Sequence, residues 1–178
     1  MNVQLSAAIV ALALFTFSPA RAGDLIAEVR VGASDVLGSG DSRDRGLVGT
    51  AELYIAPLHS SKDGLAKVLL EPRIQIGVSG GTAATDQAYA GLNWHLPVTD
   101  RFFVEAGAGG TVHNGDLDSG SGPLLGCRLL FREHAALGVR LSDDVNLTAT
   151  IDHSSHAGLC DGPNDGLTHA GLAIGFKF

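Results

Sequence analysis

The sequence predicts an all-β protein, an eight-stranded antiparallel transmembrane β-barrel, and three observations support this prediction. Hydrophobic residues make up 45% of the chain, and the mean hydropathy is +0.21. No apolar run after residue 22 reaches the roughly 18 to 20 residues that a membrane-spanning helix needs. Apolar and polar residues instead alternate along eight segments, and the 24 glycines are nearly twice the average usage of roughly 7%. Because closed barrels are the only membrane-spanning alternative to helices, this pattern favours a barrel.

The first 22 residues have the pattern of a signal peptide. Ala7 to Phe17 is an apolar run, and Pro19 is followed by the small-x-small sequence Ala20-Arg21-Ala22. A short membrane anchor is the alternative, but the run is too short to span a bilayer. We therefore expect cleavage after Ala22, with residues 23–178 forming one barrel domain in the outer membrane of a Gram-negative bacterium.

The expected mature chain is acidic. Without Arg21, 11 basic residues stand against 19 acidic ones, a formal charge of 11 − 19 = −8. Nucleic-acid binding depends on clustered Lys and Arg, so this charge argues against a nucleic-acid partner.

Four predicted strands occupy the first half of the mature chain, and each alternates with a period of two. They cover residues 25–31, 47–55, 68–78 and 87–96. The apolar row, which we expect to face lipid, comprises Leu25, Ala27, Val29, Val31, Leu47, Ala51, Leu53, Ile55, Val68, Leu70, Ile74, Ile76, Val78, Ala88, Ala90, Leu92, Trp94 and Leu96. The opposite row carries charged and amide side chains, so we expect it to fill the interior.

Four further strands are predicted at 101–113, 124–141, 145–152 and 169–178. In the sixth, the odd positions from Leu125 to Leu141 are mostly apolar, whereas Arg128, Arg132 and Arg140 share the even parity. We therefore interpret Leu124–Leu141 as one long strand. Eight strands make the smallest usual barrel, whose interior is filled by side chains, so we expect no pore.

The connections alternate in length, as long extracellular loops and short periplasmic turns do. The longer connections are 35–46, 79–86, 114–121 and 157–166, and the tight ones are 97–100 and 142–144. Segment 58–66 departs from the pattern because it is longer than a tight turn. The last strand, which ends on Phe178, resembles the C-terminal strand by which the outer-membrane assembly machinery recognises such barrels.

The seventh strand continues its outward row with two polar residues, His153 and Ser155. A strand crosses the apolar band of about 25 Å in about ten residues, so His153 is expected near the outer boundary. Residues two apart on a strand share a face, and the imidazole can then take the hydroxyl proton as Ser155 attacks an ester carbonyl. Two polar groups in the headgroup zone, with no chemistry, are the alternative.

Residues 153–167 read His-Ser-Ser-His-Ala-Gly-Leu-Cys-Asp-Gly-Pro-Asn-Asp-Gly-Leu. This segment resembles the lipid A 3-O-deacylase (PagL-like) family of eight-stranded outer-membrane barrels, in which H-x-S-N-A-G-L and then P-N-D-G precede the last strand. The resemblance implies a serine esterase that removes an ester-linked acyl chain from lipid A or lipopolysaccharide in the outer leaflet. It further implies His153 as general base, Ser155 as nucleophile, and Asn164 and the Gly158 amide as oxyanion donors.

The segment departs from the family at two positions. The family's Asn after the serine is His156 here, and its acid, usually a Glu in a G-x-E run entering the last strand, is Thr168. Thr168 has the outward parity, so it is placed to hydrogen-bond His153. A hydroxyl cannot stabilise an imidazolium by charge, however.

Glu133 is our candidate for the missing acid. If Leu141 pairs with Val145 across the tight turn, the register places Glu133 directly opposite His153, with the Cβ atoms about 5 Å apart. A carboxylate on a lipid-facing row is costly and therefore indicates a function. The alternative is that the sixth strand breaks near Glu133 and the carboxylate is solvated.

The same register places Cys127 opposite Leu159 and next to Cys160. An oxidising compartment permits a disulfide between the two cysteines, and two free thiols are the alternative. The remaining interior histidines have no metal-ligand spacing, and the resemblance implies chemistry without a cofactor, so we predict neither a metal nor another cofactor.

Two other functions remain open from the sequence. A non-enzymatic barrel with a structural or adhesive role, or a degenerate family member, is favoured by Thr168 and His156. A soluble lipocalin-like barrel is disfavoured by the apolar outward rows and the terminal Phe178. The sequence does not decide the acyl-chain and positional specificity, whether the enzyme is latent, or whether a homodimer forms.

Overall fold

The computed structural model describes residues 25–37, 46–57 and 64–178; the predicted signal peptide lies outside them. Within the described residues, eight strands form one closed antiparallel barrel, in which each strand pairs with the next and β1 pairs with β8. The elements are β1 (Ile26–Val36), β2 (Val48–Ile55), α1 (Gly64–Leu70), β3 (Arg73–Gly80), β4 (Gln87–Pro97), β5 (Phe102–His113), β6 (Leu129–Arg140), β7 (Val145–Ser155) and β8 (Leu167–Lys177). The predicted fold class is confirmed.

The outward face of the barrel is apolar, as the alternation predicts. The large exposed apolar side chains of the strands are Val31, Ile74, Ile76, Val78, Leu92, Leu96, Phe102, Val112, Leu129, Phe131, Leu137, Ile151, Leu172, Ile174 and Phe176. A ring of exposed apolar side chains around a closed sheet matches the lipid-facing band of a membrane barrel. In the described part of the chain, no helix is both long and apolar enough to cross a membrane.

The two ends of the barrel differ. At one, which we call the turn end, the short turns 98–101 and 141–144 join β4 to β5 and β6 to β7. At the other, the loop end, the connections 81–86, 114–128 and 156–166 are found. Odd-numbered strands run from the turn end to the loop end, so β7 finishes among the loops.

Charged and polar side chains, rather than an apolar core, occupy the interior. Near the turn end, the Arg30 guanidinium lies 2.9 Å from the Glu105 carboxylate and 2.7 Å from that of Glu28. Closer to the loop end, Arg132 lies 3.1 Å from Asp152. Because an unpaired buried charge is strongly destabilising, these pairs make the polar interior tolerable.

A small apolar cluster covers the interior at the loop end. Leu125, Leu130 and Leu167 are buried to 2% exposure or less, and Cys127 packs against them. Leu125 comes from loop 114–128, whereas Leu130 and Leu167 lie at the loop-end termini of β6 and β8. The cluster therefore fastens this loop to the barrel.

The prediction that Val68 and Leu70 belong to the third strand is wrong, because both lie in helix α1. The Glu71 amide donates to the Lys67 carbonyl at 2.9 Å, a helical i to i−4 bond. β3 begins only at Arg73, after Pro72. Two apolar residues at a spacing of two do not distinguish a short helix from a strand.

The prediction of one strand over Leu124–Leu141 is wrong in its first five residues, because β6 begins at Leu129. The amides of Leu125 and Gly126 donate at 3.0 Å to the carbonyls of residues 116 and 117 instead of joining the barrel ladder. Gly126 has φ +64°, in the left-handed region that glycine favours. Leu125 consequently points into the apolar cluster.

Candidate active site

β7 carries His153 and Ser155 on its outward face at the loop end. His153 is exposed and Ser155 is half-buried, whereas Ser154 between them is fully buried and donates to Gln87 in the interior at 3.3 Å. Side chains alternate across a strand, so the parity of the sequence is reproduced in the structure. The side chains of His153 and Ser155 therefore point away from the barrel interior.

Thr168 lies directly opposite His153 on β8. Its Oγ1 is 2.9 Å from His153 Nδ1, so the predicted hydrogen bond is confirmed. If Nδ1 carries the ring proton and donates to Thr168, Nε2 is left as the basic nitrogen. The bond thus fixes the rotation of the imidazole.

Gly166 defines the direction in which the imidazole points. It lies one residue beyond the last ladder pair of β7 and β8, Ser154 and Leu167, and so adjoins Ser155. A Cβ on Gly166 would lie 2.9 Å from His153 Cε1 and 3.5 Å from Nε2. The edge of the ring that carries Cε1 and Nε2 is therefore directed toward the loop end, where Ser155 lies.

Glu133 lies on β6 directly opposite His153, and Phe131 lies opposite Ser155. The predicted register is confirmed. The alternative that the strand breaks near Glu133 is wrong, because the break lies before Leu129 and Glu133 is inside β6. The Glu133 side chain is exposed on the outward face beside His153.

Sequence reasoning missed a second outward-facing carboxylate, that of Asp35. We assigned Asp35 to a loop, but β1 continues to Val36, and Asp35 pairs with Ala170. The backbone amide of Leu37 donates to the Thr168 carbonyl at 2.8 Å, so Leu37 is the neighbour of Thr168 on the β1 side. Asp35 lies two residues before Leu37 and therefore on the same outward face. Continued alternation after Val31 was the signal that places it.

Loop 156–166 follows Ser155 directly and contains both predicted oxyanion donors. It opens with a tight turn in which the Leu159 amide donates to the His156 carbonyl at 3.0 Å, with Ala157 at φ 51° and Gly158 at φ 76°. Positive φ at both central positions is typical of a type I′ turn. Gly158 is exposed at this turn, and Asn164 is exposed near the end of the loop.

A disulfide joins Cys127 to Cys160, with Cα atoms 6.2 Å apart. The structure thus selects the disulfide over two free thiols. The predicted pairing of Cys127 with Leu159 is wrong, because the ladder of β6 and β7 ends at Phe131 and Ser155. The bond instead connects two loops at the side of the candidate site.

Asp152 lies on the inward face despite adjoining His153 in sequence. Its carboxylate is 3.1 Å from Arg132 and 3.1 Å from His169 Nδ1, both in the interior. It is therefore occupied by the structural network. In the described residues, no group of three or more His, Cys, Asp or Glu side chains is arranged to hold a metal ion.

Comparison with known proteins assigns the family. The sequence model of the family described as lipid A 3-O-deacylase (PagL) matches residues 67–177. The chain belongs to the lipid A 3-O-deacylase (PagL) family. The matched region of this PagL-family chain contains His153, Ser155 and Thr168. No protein with a curated description matches the chain.

Solved structures share the fold of this PagL-family chain. A crystal structure of the outer membrane enzyme PagL is similar with a TM-score of 0.65 and 19% identity, covering 85% of this chain and 100% of the other. The N-terminal β-barrel domain of Pseudomonas aeruginosa OprF gives a TM-score of 0.50 at 13% identity, covering 86% and 99%. The Yersinia pestis outer membrane protein Ail gives 0.50 at 10% identity, also covering 86% and 99%. Family and fold together support a location in the outer membrane of a Gram-negative bacterium.

Proposed function

We propose that this PagL-family chain is a lipid A 3-O-deacylase that uses Ser155 as nucleophile and His153 as general base. The observation that carries the proposal is the position of both residues on the outward face at the loop end. An acyl ester of a lipid in the outer leaflet meets the barrel on this face. A soluble substrate confined to the interior would not reach either side chain.

The orientation of the imidazole supports the following acylation step. Ser155 Oγ attacks the ester carbonyl carbon while His153 Nε2 takes the hydroxyl proton. The carbonyl oxygen of the tetrahedral intermediate becomes an oxyanion, for which the Asn164 side-chain amide and the Gly158 backbone amide are the proposed donors. His153 then returns the proton to the 3-O leaving oxygen, and the acyl group remains on Ser155.

Deacylation repeats the same proton transfers with water. His153 takes a proton from a water molecule, whose oxygen attacks the acyl carbon. The oxyanion forms again and is stabilised by the same two donors. The fatty acid leaves as Ser155 Oγ recovers its proton from His153. The two half-reactions together consume one water and need no metal.

Two flanking groups divide the role that one acid usually fills. In the tautomer that leaves Nε2 basic, the Thr168 hydroxyl accepts a hydrogen bond from Nδ1–H and orients the ring, but it carries no charge. Glu133, opposite His153 on the other side, is the proposed source of the negative charge that stabilises the imidazolium. Directly opposite side chains have Cβ atoms about 5 Å apart, which is close enough for this interaction.

The proposal is tested by labelling the purified protein with a fluorophosphonate, which reacts with activated serine hydroxyls. We expect the label on Ser155, located by peptide mass, and release of fatty acid from lipopolysaccharide in detergent micelles. Ser155→Ala should lose both. Ser154→Ala is the matched control because its hydroxyl points into the interior, and it should retain both. Equal labelling of the two variants would exclude Ser155 as nucleophile.

The rival function is a family member that has lost catalysis and acts as a structural barrel. Thr168 favours it, because the position that carries the family's acid is neutral here. Absence of fatty-acid release from the wild-type protein, under conditions in which the barrel is folded, would support this rival.

A further inference from the structure

The loop beside the candidate site is organised around a buried histidine, His156, which is 3% exposed. The Cys160 amide donates to His156 Nδ1 at 3.4 Å, and Nε2 lies 3.2 Å from the Pro163 carbonyl oxygen. A ring that accepts at Nδ1 and donates from Nε2 is a neutral imidazole. One side chain therefore ties the middle of the loop to its later part.

The backbone of His156 fixes Asn164. Its amide donates to Asn164 Oδ1 at 3.1 Å. With the carboxamide oxygen held in this way, the Nδ2 group of the exposed Asn164 is left to act as a donor. His156 is also the first residue of the tight turn that presents Gly158. Both proposed oxyanion donors are thus held by the His156 backbone, and the buried side chain anchors that backbone through its contacts with Cys160 and Pro163.

A second set of contacts joins loop 156–166 to segment 123–128. The disulfide joins Cys160 to Cys127, and Asp165 exchanges hydrogen bonds with Leu124 at 2.9 and 3.0 Å. Gly126 packs so closely that an added Cβ would lie 2.5 Å from the Pro163 carbonyl oxygen and 3.1 Å from His156 Nε2. Segment 123–128 therefore forms a platform under loop 156–166.

We propose that His156 and the Cys127–Cys160 disulfide are positioning residues for the deacylation reaction, holding Asn164 and the Gly158 amide toward the oxyanion. The inference rests on the proposed function. His156 replaces the Asn that the family has after the serine, and its longer side chain reaches both Cys160 and Pro163. The disulfide fixes Cys160, whose backbone amide donates a hydrogen bond to His156 Nδ1.

Donors that act only on the oxyanion affect the rate of the chemical step more than substrate binding. Displacing one by about 1 Å lowers turnover about 100-fold, because the geometry of the transition state is exacting. A loop that served stability alone would change thermal unfolding and leave the turnover number intact. A change in kcat that exceeds the change in KM therefore indicates a positioning role, whereas a change in thermal unfolding alone indicates a structural one.

The kinetic experiment compares His156→Gln, the double variant Cys127→Ser/Cys160→Ser, and wild type in micelles containing lipopolysaccharide. We expect each variant to lower kcat about 10- to 100-fold, with KM changed less than about threefold. Reductant should lower kcat of the wild type to that of the double variant and leave the double variant unchanged. Because both devices hold the same loop, combining them should give less than the product of their separate losses. His95→Gln, which changes a histidine at the turn end, is the matched control and should retain wild-type kcat.

Hydrogen exchange provides a readout that does not depend on activity. The amides of His156, Cys160 and Asp165 are hydrogen-bonded and should be protected in the wild type, and His156→Gln should lose protection at Cys160, whose acceptor is the His156 ring. Lost protection with unchanged kcat would overturn the positioning role, as would unchanged protection in both variants. If the wild type releases no fatty acid, the proposed function fails and the positioning role fails with it. Lost protection would then show that His156 orders the loop without serving the reaction.

Discussion

His153 and Thr168 face each other across β7 and β8, with His153 Nδ1 2.9 Å from Thr168 Oγ1. Glu133 faces the same histidine from β6. The imidazole therefore stands between a hydroxyl, which can hold its orientation, and a carboxylate, which can compensate its charge. Three adjacent strands supply the three side chains, and their register places Thr168 and Glu133 at the two positions directly opposite His153.

Replacing Thr168 by valine keeps the shape of the side chain and removes the hydrogen bond to His153. A net hydrogen bond is worth about 1 kcal/mol, so we expect kcat/KM to fall about 5- to 10-fold. Thr168→Ser keeps the hydroxyl and should retain most of the activity. Initial rates of fatty-acid release measure the effect, and equal rates for the valine variant and wild type would remove Thr168 from the mechanism.

Glu133→Gln tests the source of negative charge. At about 5 Å and intermediate dielectric, a carboxylate stabilises an imidazolium by up to about 3 kcal/mol, so we expect kcat to fall about 10- to 100-fold. Asp35→Asn is the control, because it neutralises a carboxylate on the same outward face but on β1. Similar losses for the two variants would indicate a general effect of surface charge rather than a pairing of Glu133 with His153.

The alternation of the sequence predicted the barrel, and the tight turn at 142–144 predicted the register that places Glu133 opposite His153. Both follow from local rules, since the period of a strand is two and a short turn leaves little choice of pairing. The Thr168 contact followed from the same parity. These features of the site are therefore encoded in the local pattern of the sequence.

The loops could not be predicted in the same way. Leu125 and Cys127 continue the apolar parity of β6, yet hydrogen bonds to residues 116 and 117 turn the chain inward before Leu129. The contacts of His156 join residues within a loop that has no periodicity. Such bonds depend on tertiary packing, which a pattern of apolar positions does not encode.

Gly166→Ala should displace the imidazole of His153. The added Cβ would lie 2.9 Å from Cε1, closer than a van der Waals contact, and the residue has φ +71°. We expect at least about a 10-fold loss of kcat, because misplacement of a catalytic group is costly. Gly46→Ala imposes a similar left-handed strain at φ +87° with nothing within 4 Å, and it should retain kcat. Equal activity of both variants would contradict the assigned ring position.

Glu105→Leu tests the interior network. Glu105 is 3% exposed and pairs with Arg30 at 2.9 Å, so its removal takes one of two carboxylate partners from a buried guanidinium and leaves only that of Glu28. We expect the free energy of unfolding to fall by about 3–5 kcal/mol. Denaturant unfolding in lipid vesicles, followed by the fluorescence of Trp94, the single tryptophan, measures it. Arg101→Gln at an exposed turn should change it by less than about 0.5 kcal/mol. A loss as small for Glu105→Leu would contradict the role of the ion pairs.

The most direct test of the central claim is the mass of lipid A extracted from Gram-negative cells that express the wild type, Ser155→Ala or Ser154→Ala at equal levels in the outer membrane. The account predicts that the wild type and Ser154→Ala shift lipid A to a species that has lost one ester-linked acyl chain. Cells with Ser155→Ala should retain the fully acylated form. Identical spectra for wild type and Ser155→Ala would contradict the assignment of this chain as a serine lipid A deacylase.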